Sequence, residues 1–144
     1  MRDPDNRPSC TQIVVLVLAA LLLGSLLTGL WWWWAAASPS AADCGKALAY
    51  GAAGPPPARA TDLRCEVETW DMTTYDVTFR LPADRARSWV ADAYPGEEPW
   101  TDGDRVLHLE VGLGETPGTA STVHVEVTPR ADGTSTVTWR AIGI

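Results

Sequence analysis

The chain has 144 residues and a formal charge of −7, from 11 Lys and Arg against 18 Asp and Glu. Arg2 and Arg7 cancel Asp3 and Asp5 near the start, so the acidic excess lies in the remainder, which excludes a basic surface for nucleic acid or anionic lipid. Once one membrane-length apolar stretch is set aside, roughly a hundred residues remain, enough for one small domain.

Residues 1–12 form a short polar tail, read as cytoplasmic. Ile13 to Trp34 carries no charge, and the uncharged segment extends from Pro8 to Ala42. As a helix rising about 1.5 Å per residue it reaches roughly 33 Å, enough to cross a bilayer core of about 30 Å. Residues 13–34 are therefore expected to be a transmembrane anchor, making the membrane the first partner. Trp31, Trp32, Trp33 and Trp34 step around such a helix by about 100° each and read as an interfacial belt, because indole joins an apolar body to one N–H. Ser25 and Gly29 form a small-xxx-small pair that permits a weak homodimer through the span.

The rival reading is secretion after signal cleavage near Ala37, where Ala35-Ala36-Ala37 resembles an A-x-A site. Signal-peptide apolar cores run about 7–15 residues, and this one is longer and ends in bulky indoles, so a retained anchor is favoured. Asp43, immediately before Cys44, argues against lipoprotein processing. Arg2 and Arg7 flank one end, and no basic residue follows the span until Lys46. The positive-inside rule then places the N-terminus in the cytoplasm and the domain outside.

Residues 35–62 read as an Ala/Pro-rich spacer with a short helix at 43–50, followed by the stiff Pro55-Pro56-Pro57 connector. Cys44 and Cys65 lie on one side of the span and Cys10 on the other. A Cys44–Cys65 disulfide is expected if the domain sits in an oxidising compartment. No Cys or His stands two to four positions from either cysteine, so zinc-finger spacing is absent. Cys10, beside the span, is a candidate for acylation but reads more simply as an idle thiol.

The folded unit is expected over 63–144. Leu63, Cys65 and Val67 alternate with charged residues, and Tyr75, Val77, Phe79 and Leu81 alternate with polar ones, giving two strands. Pro82 and Asp84 suit a helix start, and Ala86, Trp89, Val90, Ala93 and Tyr94 share one helical face that stops at Pro95-Gly96. Further strands follow at Arg105 to Val111, Thr122 to Thr128 and Thr134 to Ile142. The sum predicts the α+β class: a single N-terminal transmembrane helix and a small two-layer ββαβββ domain, mostly antiparallel, with one helix packed on one face. In the last hairpin, a three-residue loop Ala131-Asp132-Gly133 pairs Val127 with Val137 and Val125 with Trp139. A two-residue turn would set apolar beside polar, because a one-residue slip flips every side chain.

One constellation carries chemistry. His108-Leu109-Glu110 and His124-Val125-Glu126 each put His and Glu on the face opposite the apolar residues. With a loop centred near Pro117, His108 faces Glu126, Glu110 faces His124, and Arg140 faces His124. These five residues form a candidate binding face; the sharper alternative is a metal or small-ligand site, and the plainer one is a solvated face of cross-strand charge pairs. Threonines 122, 128, 136 and 138 share that face, as on exposed strands.

The Gly112–Gly118 loop joins strand to strand without the helix that phosphate binding uses. Glu97, Glu98, Asp102 and Asp104 lack EF-hand spacing, and Ser88 and Ser121 have no positioned His and Asp. No catalytic motif, resident metal or cofactor is indicated. The expected function is a non-enzymatic interaction or accessory module anchored in a bacterial cell envelope; ten Arg against one Lys, with abundant Ala, Gly and Pro, reads as GC-rich codon bias. An envelope protein is the expected partner, met at the polar face or along the last strand if that strand is an edge.

Overall fold

The computed structural model describes residues 10–36, 39–114, 116 and 118–144. The tail up to residue 9, the cleavage position Ala37 and the loop centre Pro117 lie outside the described residues. The chain divides into two compact units, Met1–Ser38 and Pro39–Ile144.

The first unit holds α1, Cys10–Ala36. Within it Ile13–Trp32 spans 20 residues with a mean hydropathy of 2.7 and no buried residue. A helix apolar on every side cannot bury one stripe and leave the other wet, and this one is long enough to cross a membrane. Its length, composition and place near the N-terminus suit a membrane anchor and a signal sequence alike. The hydroxyls of Ser25 and Thr28 donate back to the carbonyls of Leu21 and Gly24, so neither needs water to satisfy it. All four consecutive tryptophans, Trp31 to Trp34, fall inside α1.

The second unit runs β1 (Ser40–Ala41), α2 (Cys44–Tyr50), β2 (Thr61–Thr69), β3 (Thr73–Pro82), α3 (Ala83–Ala93), β4 (Trp100–Thr101), β5 (Leu107–Gly112), β6 (Thr122–Pro129) and β7 (Thr134–Gly143). Together with α1 this is an α+β chain, its seven strands joined in one antiparallel sheet of order β1-β2-β3-β7-β6-β5-β4. The order ββαβββ omitted β1 and β4, and it left out of the folded unit the short helix expected at 43–50, which is α2. Two-residue strands have no period to read, and α2 lay in the stretch taken for a spacer. That stretch is not a free linker: Ala47 and Leu48 are completely buried, Ala53 nearly so, and the compact unit begins at Pro39 instead of Leu63. Small residues sit close against a sheet, so an Ala-rich segment packs where bulkier side chains could not.

The apolar alternation decides the register. Val127 pairs with Val137 and Val125 with Trp139, and Gly133 takes φ 79° in the three-residue loop. The left-handed conformation at Gly133 closes that loop and makes it cheap only for glycine. Val77, Phe79 and Leu81 of β3, Val123, Val125 and Val127 of β6, and Val137 and Trp139 of β7 point to one side. Ala47 and Leu48 of α2 join the same cluster, as do Ala86 and Val90 of α3, so two helices share this core where one was expected.

A buried polar chain ties the three parts together. The Trp139 indole N–H donates to the Tyr94 hydroxyl at 2.8 Å, and that hydroxyl donates to the Gly51 carbonyl at 2.7 Å. Gly51 caps α2 and Tyr94 caps α3, so one central strand holds both helix ends. A Cβ on Gly51 would overlap the Trp139 ring, and this close approach is what glycine supplies there. Burial pushes the Tyr94 hydroxyl up to about 12, against a smaller opposing effect of the indole hydrogen bond.

Cys44 and Cys65 form a disulfide with Cα atoms 5.3 Å apart. Asp43 caps α2 by accepting from the Lys46 N–H at 2.8 Å, which fixes the helix start beside the cysteine. The bridge thus anchors α2 to β2 near the sheet's β1 edge.

Candidate functional site

The candidate face lies on β5, β6 and β7, opposite the core. The register sets His108 across from Glu126, Glu110 across from His124, and His124 across from Arg140. Glu110 and His124 also meet through their side chains, whereas the other three take different partners. His108 Nε2 meets Asp102 Oδ2 at 3.1 Å instead of reaching Glu126. Glu126 accepts from the Thr128 hydroxyl at 3.1 Å on its own strand. His124 Nδ1 stands 3.8 Å from Glu110 Oε2, and Arg140 Nε donates to Asp76 Oδ1 at 2.6 Å on the neighbouring β3. The Asp76 carboxylate raises the Arg140 pKa above its ordinary value, chiefly through that hydrogen bond.

The last strand differs from its expected place. β7 lies between β3 and β6, in the middle of the sheet, and Trp139 is fully buried. A partner strand therefore has no free edge on β7. The edges belong to β1 and β4, each two residues long, which is how sheets commonly limit exposed pairing groups.

Two residues outside the predicted set complete the face. β4 pairs Trp100 with His108, and the indole stacks on the imidazole with ring centres 5.6 Å apart and planes 21° apart. Asp102 follows at the turn, where its Oδ1 accepts the backbone N–H groups of Asp104 at 3.0 Å and Val106 at 2.9 Å. The same carboxylate thus shapes the β4–β5 turn and positions His108. The acidic loop signalled Asp102, but only as a cation-ligand candidate; nothing in the spacing tied it to His108. Trp100 remains 53% exposed and, with Glu110, His124, Glu126 and Arg140, rims an open recess of about 450 Å³.

Each His, Glu and Arg of the face thus has a local partner, and among the described residues no three His, Cys, Asp or Glu come together as metal ligands. A second recess of about 530 Å³ is lined by Asp62, Arg64, Glu66, Asp76, Arg80 and Arg130. The Arg80–Asp62 pair at 3.1 Å is exposed and adds little stability.

The turn carries a pH signature. Hydrogen bonds, first from His108 and then from the Val106 N–H, hold the Asp102 carboxyl below its ordinary 3.8. A depressed folded-state value contributes stability above the unfolded value, and that stability is lost as pH falls through the folded one. Asp102→Asn is expected to flatten the acid limb of a melting-temperature profile below about pH 4. An unchanged limb would show that Asp102 does not carry it.

Compared with known proteins, the chain matches no protein-family model, no curated protein and no solved structure.

Proposed function

We propose that α1 is a retained single-pass anchor with a cytoplasmic N-terminus, and that the Pro39–Ile144 unit is an extracytoplasmic, non-enzymatic interaction or accessory module of a bacterial cell envelope. The span is long, uncharged and wholly exposed, and only Ala37 and Ser38 separate α1 from the folded unit. A disulfide between the two cysteines beyond the span fits an oxidising compartment.

The observation that carries the binding role is Trp100, held out on a polar face by β4 and stacked on His108. An exposed indole that shares one recess with an arginine and two histidines has the make-up of a protein-contact centre, since Trp and Arg dominate such energetics. An envelope protein is the partner this favours. With full-length protein at near-native expression, in-cell crosslinking followed by purification is expected to recover a partner that is lost with Trp100→Ala. Trp100 is outside the core, so the variant keeps the fold. A recovery pattern identical for wild type and Trp100→Ala would overturn this assignment.

A further inference from the structure

The β2–β3 hairpin ends in a feature that the recognition face does not use. Thr69 pairs with Thr73, leaving Trp70, Asp71 and Met72 as the tip, shaped by the Trp70 N–H donating to the Met72 carbonyl at 3.1 Å. Trp70 is 64% exposed and Met72 52%. Two large apolar side chains held in water on a tight turn invite a covering surface.

The sheet register places this tip. Ser40 pairs with Val67 and Ala41 with Glu66 in antiparallel sense. Going back along β1 from Ala41 to Ser40 therefore heads toward the β2–β3 turn. Four residue steps separate Ser40 from Ala36, the end of α1, a reach of at most about 14 Å. Four steps along the other strand lead from Val67 to Asp71, at the tip. The opposite end of the sheet carries the β6–β7 loop, where Arg130 and Asp132 form an exposed ion pair. So the apolar tip stands at the end of the sheet where β1 begins, and the charged loop stands at the far end.

We infer that Trp70 and Met72 dip into the headgroup layer of the bilayer and give the domain a second, non-covalent membrane contact. This rests on the reading of α1 as a retained anchor. The occupant is a zwitterionic lipid interface, because an acidic chain gains nothing from anionic headgroups. Trp70 brings an indole suited to that boundary, as in the Trp31–Trp34 belt, and Met72 brings a flexible apolar chain. Asp71 between them keeps its carboxylate in water and limits the depth. Tethering makes even a weak contact effective, since the anchor holds the tip at high local concentration.

The test uses the full-length chain, with Cys10→Ser, in phosphatidylcholine vesicles. A nitroxide is attached in turn at Met72→Cys, Asp132→Cys and Leu22→Cys, and its collision rates with oxygen and with a water-soluble nickel chelate are measured. The expected result is an oxygen-to-nickel ratio several-fold higher at position 72 than at 132, and highest at 22. A ratio at 72 equal to that at 132, with 22 still lipid-like, overturns the second contact and leaves the anchor standing. A probe at 72 shielded from both reagents indicates burial by protein and also overturns it. A water-like probe at 22 removes the anchor reading and this inference together.

Discussion

Trp139→Ala and Tyr94→Phe are both expected to destabilise the Pro39–Ile144 unit strongly. Trp139 is fully buried at the centre of the sheet, among side chains from both neighbouring strands and against Gly51. Removing such an indole costs about 3–5 kcal/mol through lost burial and the cavity left behind. A small domain holds about 5–15 kcal/mol in total, so the loss takes a large share. Tyr94→Phe keeps the ring and deletes one oxygen, leaving the Trp139 N–H and the Gly51 carbonyl without their partner. Stranding buried polar groups costs about 1–3 kcal/mol each. Urea unfolding of the detergent-solubilised chain, followed by circular dichroism, is the measurement. An unchanged midpoint for Tyr94→Phe would show that the polar chain does not hold the helix ends.

The same tyrosine sets an alkaline limit. Its folded-state pKa, about 12, lies above the ordinary 10.0, so its stabilising contribution is complete below pH 10. That contribution is lost as pH rises toward 12, and Tyr94→Phe should lack this limb of the profile.

Breaking the Cys44–Cys65 bridge is the second large effect. The bridge closes a loop with a sequence separation of 21, and opening it is expected to cost about 3 kcal/mol in the chain-entropy account. For a domain near a hundred residues this lowers the melting temperature by roughly 10–20 °C. The loss should be local at first. Hydrogen exchange is expected to speed up across Ser40–Tyr50 before it does so in β3, β6 and β7, since β1 has two paired residues and α2 has seven in all. A Cys44→Ala, Cys65→Ala chain that melts with the oxidised protein would show that Leu48 and the β1 pairing suffice.

The central strands were legible because period-two alternation has one satisfactory register. Val125, Val127, Val137 and Trp139 had to share a side, and Gly133 in a three-residue loop was the turn that achieved it. Tyr94 and Trp139 were both visible as apolar-face residues, but their hydrogen bond was not, since sequence patterns carry no distance between a helix end and a strand. The position of β7 was illegible for a related reason. Its pairing with β3 joins residues up to 70 positions apart, as in Thr73 with Gly143, and follows from how the chain returns after α3. The 39–60 stretch misled through composition, because Ala, Gly and Pro describe both a linker and a closely packed segment. At the candidate face the opposed backbone positions and the Glu110–His124 pair were readable, yet the other pairs follow side-chain reach. Asp102 intercepts His108, and Asp76 intercepts Arg140.

The central claim is that the span is an anchor carrying a disulfide-stapled domain outside the cytoplasm. Its most direct test is labelling of intact cells with a membrane-impermeant maleimide, before and after reduction, with the chain recovered and its labelled cysteines mapped. Labelling is expected at Cys44 and Cys65 only after reduction, with none at Cys10, on a chain that keeps residues 13–34. Labelling of Cys44 and Cys65 only in opened cells, with no need for reductant, would place the domain in the cytoplasm and contradict the account.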